Sequence, residues 1–318
     1  MPRLAVIASD RLCRTSRRGS CLNNRMKDHR LLDGRAVRDR ILNDVAQRVR
    51  QASVRHSIGR VVSVSIGEHK AVAVYVRGQA NAAKKVGLRF EDQTWHAALT
   101  QDECKARLVA MNDDPDVLGV ILQRPVPPHI HGRSLASAIH PFKDVEGMNP
   151  ASIGDIVYND LTLVPCTAAA SVELIKATGL TLHGLEVVMV GHSEIVGKPA
   201  AFMLMAEGAT VTVCHHLTRS VAAHSRRADA VLVAVGKPKF LSADMVKPGA
   251  AVIDIGINQV TGPDGSTMIV GDVDTDSVKE VASWVTPVPG GVGPVTVAMF
   301  MRNAITAHDK QLAAGWLG

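Results

Sequence analysis

Three small residues in the middle of the chain have the spacing of a phosphate-binding turn. Gly191, Ser193 and Gly197 follow an apolar run at 187–190 and precede a helical pattern that begins near Pro199. A parallel strand that passes through a tight turn into a helix aims backbone N–H groups and the positive end of a helix at one point, which suits a pyrophosphate. The spacing is not G-x-G-x-x-G, so an ordinary turn between a strand and a helix is the alternative.

Apolar runs that recur after this turn indicate a parallel sheet. They span residues 209–216, 228–236 and 250–257, with helix-like segments between them. Continuous β-branched runs without polar alternation are typical of strands that are covered on both faces. Residues 166–294 are therefore predicted to form a Rossmann-like domain, a doubly wound parallel sheet that binds NAD(P).

The N-terminal half is predicted to be a second, smaller α/β unit, and the fold class is α/β with two domains. The predicted elements are helices at 31–51, 71–85, 101–111, 164–179 (after a short loop) and 295–308, strands at 61–67 and 118–128, the latter running into a proline-rich turn, and a hairpin turn at 263–265. The helices are predicted from apolar residues that recur at helical spacing. Gly87 is predicted to end one helix and Thr100 to begin another.

The composition favours a two-domain globular protein and argues against two kinds of partner. The chain has 318 residues, 46% of them hydrophobic, and a formal net charge of +6. Residues 1–30 hold eight Lys/Arg and two Asp, whereas the other residues hold 28 charges of each sign. A neutral body offers no basic stripe to nucleic acid, and no apolar run approaches the ~20 residues of a membrane span. Neither a nucleic acid nor a membrane is expected as a partner.

Residues 1–25 are predicted to be a basic extension outside the folded domains. The stretch is rich in arginine and poor in acids, as organelle transit peptides are. Met26, however, stands just before the LLDGRAV segment at which the folded pattern begins. A mis-assigned start at Met1, a transit peptide and a genuine basic tail are the alternatives.

The cysteines and histidines indicate neither disulfides nor a metal site. The five cysteines are widely spaced and contain no C-x-x-C pair, which favours reduced thiols in a cytoplasmic enzyme; they are Cys13, Cys21, Cys104, Cys166 and Cys214. His215 and His216 are adjacent, so on a strand their side chains would point apart. Because no H-x-x-x-H or Cys/His cluster accompanies them, no metal is expected.

Nine motifs in one order resemble the methylenetetrahydrofolate dehydrogenase/cyclohydrolase family. They cover about residues 31–305; the most specific are VGHSEIVGKP and TPVPGGVGPVT, and the others are LLDGRAV, the YV-plus-helix segment at Tyr75, QRPVPP, KDVEGMNP, PCT, AVGKP and VIDIGIN. The resemblance implies a folate-binding catalytic domain at 26–165 plus 295–318, an NAD(P)-binding domain at 166–294, and a folate substrate in the cleft between them. It also implies a homodimer and NADP as the default cofactor, with NAD as the alternative.

The family carries Ser, Tyr and Lys on one helical face, and by resemblance these positions are Val72, Tyr75 and Gln79 here. Residues i, i+3 and i+7 share a face, so all three would still face the cleft. An amide exchanges no proton near neutral pH, and losing a positioned acid or base typically costs ~10²–10⁴-fold in rate. We therefore expect a dehydrogenase in which hydrolysis of the methenyl product is weak or absent.

Three alternatives to this expectation stay open. Tyr75 or a neighbouring lysine could substitute for the missing ammonium, which would give a fully bifunctional enzyme. The changed site residues could instead mark a catalytically silent paralogue that binds folate. A two-domain dehydrogenase of shikimate type shares the architecture but not the TPVPGGVGPVT motif.

The remaining site residues are also assigned by resemblance. Gln123 would lie beside Gln79, Glu146 replaces an aspartate that grips the pterin ring, and His192 replaces an arginine that would pair with a 2′-phosphate. The implied catalytic residues are Tyr75, Gln79, Gln123 and Cys166. The implied substrate-binding residues are Val72, Tyr75, Asp144, Glu146, Pro289, Gly290 and Gly291. The implied cofactor-binding residues are Gly191, His192, Ser193, Ile195, Val196, Gly197, His216, Thr218 and Ile257.

Overall fold

Two separate parallel sheets organise the part of the chain that the computed structural model describes, residues 30–262 and 265–317. The first unit runs α1 (Gly34–Ser53), β1 (Arg60–Ile66), α2 (Lys70–Val86), β2 (Arg89–Trp95), α3 (Gln101–Asp113), β3 (Val117–Leu122), α4 (Gly132–Ala136), a 3₁₀ turn (Pro141–Lys143) and α5 (Pro150–Val157). Its three strands lie in the order β2-β1-β3 and are parallel. Helices connect them, as parallel strands require.

The second unit confirms the predicted doubly wound sheet. It runs α6 (Cys166–Ala177), β4 (Glu186–Val190), α7 (Gly197–Ala206), β5 (Thr210–Cys214), α8 (Ala222–Ser225), β6 (Ala230–Val233), a 3₁₀ turn (Ala243–Met245), β7 (Ala251–Asp254), β8 (Asn258–Thr261), β9 (Thr267–Val270), α9 (Thr275–Val278), β10 (Trp284–Val285) and α10 (Val292–Ala313). Five parallel strands lie in the order β10-β7-β6-β4-β5. Strands β6 and β7 are buried along their whole length, as expected for a sheet covered on both faces.

The last helix returns to the first unit, as the resemblance implied. α10 packs against α1, α2 and α6. Asn303 donates from Nδ2 to the carbonyl oxygens of Val145 (3.0 Å) and Val164 (2.9 Å), and Gln311 donates to that of Leu118 (2.7 Å). These buried side-chain donors satisfy loop and strand carbonyls that would otherwise be unpaired, so they fix the helix on the first domain.

Local signals in the sequence fix the ends of several helices. Thr100 and Glu103 form a capping box at the start of α3. Gly87 ends α2 with a φ of 87°. A left-handed residue at this place closes the last turn of a helix, and glycine adopts it without strain.

The structure also departs from the predicted elements. β2 was not predicted, because its sequence RFEDQTW is largely polar and the strand lies at the sheet edge, where polar side chains are tolerated. α10 begins at Val292 rather than at 295 and runs to Ala313, since a proline in the first turn, Pro294, is compatible with a helix.

Two sequence predictions fall partly or wholly outside the described residues. The hairpin turn at 263–265 includes two residues that are not described, although β8 and β9 on either side of it form an antiparallel pair. The basic extension at 1–25 lies entirely outside. Among the described helices, none combines the length and the apolar character needed to cross a lipid bilayer.

Candidate active site between the two domains

A cavity of about 380 Å³ lies between α2 and the loops that follow the strands of the second sheet. Tyr75 on α2 and Thr167 on α6 line it together with the segments Asp254–Ile257 and Pro287–Pro294, and Arg35, Ile269 and Thr296 complete the lining. Five predicted site residues therefore share one cavity: Tyr75, Ile257, Pro289, Gly290 and Gly291. They come from distant parts of the chain that two separate sheets bring together.

Tyr75 presents a neutral phenol to this cavity. Its ring packs edge-on against Phe300, with centroids 6.3 Å apart. Burial raises the pKa of Tyr75 well above the usual range, and the negative charges that Cys166 and Glu146 can carry add to the shift. The phenol is therefore a hydrogen-bond donor at physiological pH, and it is not a proton acceptor that could replace a catalytic lysine.

Gln79 and Gln123 form a buried pair of amides. Gln123 donates from Nε2 to Oε1 of Gln79 over 2.8 Å and to the hydroxyl of Ser63 over 3.2 Å. Gln79 is fully buried, and its own Nε2 has no hydrogen-bond partner in the described ranges. A buried N–H donor that lacks a partner costs free energy, so a water or ligand oxygen that reached this donor would be stabilised by it. The predicted proximity of Gln79 and Gln123 is observed.

Asp144 holds the loop that presents Glu146. Its carboxylate is buried and accepts hydrogen bonds from the backbone N–H of Gly147 (3.0 Å) and Asn149 (2.6 Å) and from the hydroxyl of Ser152 (3.2 Å). Burial raises the pKa of Asp144 to about 6, although these bonds act in the opposite direction. The carboxylate therefore holds its own loop in place, and contact between Asp144 and a substrate stays a prediction.

Glu146 differs from Asp144 because, among the described residues, its carboxylate is hydrogen-bonded to the backbone of Leu122 at the end of β3 and not to its own loop. The side chain is partly exposed. Burial raises the pKa of Glu146 to about 7; Arg124 opposes this shift, whereas Asp144 adds to it. A carboxyl group with a pKa near neutrality is present in both protonation states at physiological pH and can therefore exchange a proton.

Cys166 and Val72 have packing roles in the structure. Cys166 is buried at the start of α6, its thiol donates to the carbonyl of Val145 over 3.4 Å, and Asn303 lies 3.4 Å from its sulfur. Burial raises the pKa of Cys166 well above the usual range, and Glu146 and Asp144 add to the shift. The thiol therefore stays neutral, and the catalytic role of Cys166 stays a prediction. Val72 is 92% buried and contributes apolar surface only.

The glycine turn has the close packing that a phosphate-binding turn needs. Gly191 follows β4 with a φ of 117°, and a Cβ at Gly197 would overlap the carbonyl of Gly191. The hydroxyl of Ser193 accepts from the backbone N–H of Val196 (3.2 Å) and Gly197 (3.4 Å), which caps α7. Five of the predicted cofactor residues thus form one compact turn: Gly191, His192, Ser193, Val196 and Gly197.

A second cavity, of about 560 Å³, spans the domain cleft beside this turn. Ile195 and Lys198 line it from the second domain, and Arg124 and Arg133 line it from the first. Arg133 donates to Oε1 of Glu194 over 2.6 Å and so links the domains across the cleft. Glu194 also lines this cavity and neutralises Arg133, so Arg124 and Lys198 remain as the cationic side chains that suit an anionic ligand.

The histidines do not lie as predicted. β5 ends at Cys214, so His215 and His216 lie in the following turn and not on a strand. Both rings approach His192: the His192 and His215 rings are stacked with centroids 4.6 Å apart, and those of His192 and His216 are 6.2 Å apart. The argument that their side chains diverge was wrong, because the chain leaves its extended conformation one residue earlier. Thr218 supports this turn by accepting from the backbone N–H of His215 over 2.9 Å.

Two buried aspartates, Asp254 in the lining of the first cavity and its neighbour Asp272, were missed by the sequence reasoning. Asp254 accepts from the backbone N–H of Asp272 (3.0 Å), Val273 (2.9 Å) and Gly256 (3.0 Å). Burial raises the pKa of Asp254 to about 6. Asp272 in turn accepts from the backbone N–H of Val235 over 2.6 Å. The VIDIGIN motif contained the signal for the first of them, an acid that ends a buried strand.

Two family models match the chain in series. The model described as tetrahydrofolate dehydrogenase/cyclohydrolase, catalytic domain, matches residues 32–146, and the model described as the NAD(P)-binding domain of the same enzymes matches residues 165–312. Bifunctional protein FolD 3 of Roseobacter denitrificans is 70% identical over 291 residues, which are 92% of this chain and 99% of that protein. Bifunctional protein FolD of Rhodobacter capsulatus is 67% identical over 291 residues, 92% of this chain and 97% of that protein.

The fold is likewise similar to a solved enzyme. The crystal structure of N5,N10-methylenetetrahydrofolate dehydrogenase-cyclohydrolase from Trypanosoma brucei, complexed with NADP cofactor and inhibitor, has a TM-score of 0.83 and 34% identity, and the match covers 89% of this chain and 98% of that chain. Sequence and fold agree over both domains. The chain therefore belongs to the tetrahydrofolate dehydrogenase/cyclohydrolase family.

Proposed function

We propose that this chain oxidises 5,10-methylenetetrahydrofolate to 5,10-methenyltetrahydrofolate with NADP and hydrolyses the methenyl product at the same site. One observation carries the proposal: a single cavity places Tyr75 of the first domain opposite Ile257 and the Pro289–Gly291 loop. A folate bound there would lie with its one-carbon unit near the ends of the second sheet, where doubly wound domains hold nicotinamide.

The oxidation asks the protein chiefly to hold two ligands in contact. When bound, NADP accepts the hydride from the methylene bridge. The tight turn between Gly191 and Gly197 would hold the pyrophosphate, because both glycines lack a Cβ that would overlap neighbouring backbone and the small residues let a ligand approach the chain closely. Tyr75 would donate a hydrogen bond to the folate, and the Pro289–Gly291 loop would exclude water from the reacting face.

The choice of NADP has support from relatives and from charge. The matched domain is described as NAD(P)-binding, and the T. brucei enzyme was solved with NADP. By the resemblance, His192 and His216 would lie near the 2′-phosphate, and both are exposed. Arg124 and Lys198 line the neighbouring cavity together with the Arg133–Glu194 ion pair, and the net positive charge of this lining favours the more anionic dinucleotide.

The proposal that hydrolysis is retained rests on Glu146. The expectation of weak hydrolysis followed from Gln79 alone, and the comparisons do not support it, because both close relatives are named bifunctional. A water could be held by the free Nε2 donor of Gln79. Glu146 would take a proton from that water, since a base with a pKa near 7 matches the operating pH.

An assay of both half-reactions on purified protein tests this function. We expect NADP-dependent oxidation of methylenetetrahydrofolate and hydrolysis of methenyltetrahydrofolate at comparable rates. A Gln79→Lys variant is measured alongside. If the wild type hydrolyses poorly and the variant recovers the activity, then the loss of the lysine is decisive and the role of Glu146 is wrong. Absence of both reactions, with folate binding retained, would indicate a silent paralogue.

Two further expectations remain proposals. We propose a homodimer, to which exposed apolar side chains on α7 and the edge strand β5 would contribute; they are Phe202, Met205 and Val213. Light scattering coupled to gel filtration would measure the mass directly. We also propose a cytoplasmic location, which fits the free cysteines Cys104, Cys166 and Cys214.

A further inference from the structure

Three imidazole rings converge at the ends of two neighbouring strands. His192 follows β4, and His215 and His216 follow β5. The two strands are paired, and the backbone N–H of Gly191 donates to the carbonyl of Cys214 over 2.8 Å, so the residues that come next start side by side. One ring nitrogen of each histidine lies within 4.8 Å of the other two.

We propose that this histidine cluster, His192, His215 and His216, binds one transition-metal ion of the zinc class. The donor set consists of imidazoles alone; in the described ranges no carboxylate or thiol belongs to it. Imidazole nitrogen suits zinc, nickel, cobalt and copper, whereas magnesium and calcium prefer oxygen. Three protein ligands and one open position are a common arrangement around zinc.

Two of the three rings already lie nearly parallel. The His192 and His215 rings are stacked, with centroids 4.6 Å apart at an interplanar angle of 25°. A metal ion is bound through the lone pair of an imidazole nitrogen. The convergence of one ring nitrogen from each histidine is therefore the geometric basis of the proposal.

The cluster must contract slightly to close around an ion. Ligand nitrogens at about 2.1 Å from a tetrahedral zinc are roughly 3.4 Å apart. In the structure the ring nitrogens of the three histidines lie within 4.8 Å of one another. His192 and His216 are exposed, so rotations about their side-chain bonds can supply this movement.

His215 is the anchored member of the cluster. Its backbone N–H is bound to the Thr218 hydroxyl, and its Nδ1 accepts from the backbone N–H of Leu217 over 3.2 Å. Ligation through Nε2 would put the ring proton on Nδ1, which could then no longer accept the hydrogen bond from Leu217. Ligation through Nδ1 would put the metal ion in the place of that hydrogen bond. In either case one long hydrogen bond is exchanged for a metal–nitrogen bond.

The test is metal binding itself, measured on untagged full-length protein without dinucleotide. Protein stripped with a chelator is titrated with zinc chloride in phosphate-free buffer at neutral pH by calorimetry, and one ion per chain is expected. Cobalt is then added to stripped protein as a spectroscopic probe. A tetrahedral site is expected to give intense visible absorption, and zinc should displace it.

Variants separate this site from adventitious binding. His192→Gln and His216→Gln should each weaken zinc binding at least about tenfold, with circular dichroism showing that the fold is kept. His183→Gln removes an exposed imidazole of the same domain outside the cluster and should leave binding unchanged. The proposal is overturned if zinc binds with less than half an ion per chain, if the double variant His192→Gln/His216→Gln binds as the wild type does, or if phosphate rather than zinc binds at these residues.

Discussion

The amide of Gln123 donates to the amide of Gln79 over 2.8 Å, and this bond ties the end of β3 to the middle of α2. Neither group carries a charge or a proton that it can exchange near neutral pH. The remaining N–H donor of Gln79 has no partner within the described ranges. The pair can therefore orient a water or a substrate oxygen, and proton exchange must come from another group. Glu146 is the candidate, because it lies close enough to Tyr75 and Cys166 for its charge to raise their pKa values.

Replacing Glu146 by glutamine should separate the two reactions. Glu146→Gln keeps the shape of the side chain but removes the exchangeable proton, so hydrolysis should fall by ~10²–10⁴-fold, whereas oxidation should fall much less. The base is active when ionised, and burial raises the pKa of Glu146 to about 7. Wild-type hydrolysis, corrected for the uncatalysed reaction, should therefore rise with pH through about 7, and this rise should be missing in the variant. Equal losses in both reactions would show a binding role instead.

Removing the hydroxyl of Tyr75 should slow both folate reactions and leave the affinity for NADP unchanged. Tyr75→Phe preserves the edge-on packing against Phe300 but deletes the donor. The loss of one hydrogen bond, about 1–1.5 kcal/mol, corresponds to roughly a tenfold fall in kcat/KM. Steady-state kinetics with folate and a direct measurement of NADP affinity would check this. A changed NADP affinity with unchanged folate kinetics would contradict the assignment of Tyr75 to the folate side.

Asp144 should leave a signature in the pH dependence of stability. Its folded pKa, raised to about 6, lies above the ordinary value of 3.8. Between these values the folded state binds more protons than the unfolded state, so this group's contribution to stability falls as pH rises from about 4 to about 6. Asp144→Asn should remove this fall, which is roughly 3 kcal/mol at most. Urea unfolding at several pH values would measure it, and identical slopes in both proteins would contradict the raised pKa.

The variant itself should also be less stable at neutral pH. An amide cannot accept from all the groups that now bond to the carboxylate, namely the backbone N–H of Gly147 and Asn149 and the hydroxyl of Ser152. One unpaired buried group costs about 1–3 kcal/mol. The free energy of unfolding at pH 7 is the measurement, and a neutral effect would mean that the loop relaxes freely.

The glycine turn should not accept a methyl group at Gly197. A Cβ there would overlap the carbonyl of Gly191, so Gly197→Ala must shift the turn. We expect a loss of roughly 1–3 kcal/mol in stability and NADP binding at least about tenfold weaker, measured by fluorescence titration. Gly154→Ala is the matched control, because a Cβ at Gly154 on α5 meets no atom within 4 Å. The control should bind NADP normally and gain up to about 1 kcal/mol of stability.

Local patterns explain which features could be predicted. Hydrophobic runs gave β4, β6 and β7, because each buried strand needs an unbroken apolar stretch whatever its neighbours are. The strand β2 was not predicted, because it lies at a sheet edge, where its residues need not be apolar. The pairing of Gln79 with Gln123 was foreseen from the family resemblance and not from spacing.

By itself, the sequence determined the two α/β units, the glycine turn and the family, since each depends on short segments whose order survives in the chain. Only the tertiary structure decided which polar groups are free and which are used. It showed that the carboxylate of Asp144 is hydrogen-bonded to its own loop whereas that of Glu146 is not, and that Cys166 is buried. It also brought His192 to His215 and His216, because the consecutive strands β4 and β5 pair side by side in the sheet and the chain turns directly after each of them. Burial and proximity arise from packing between segments, and no local pattern encodes them.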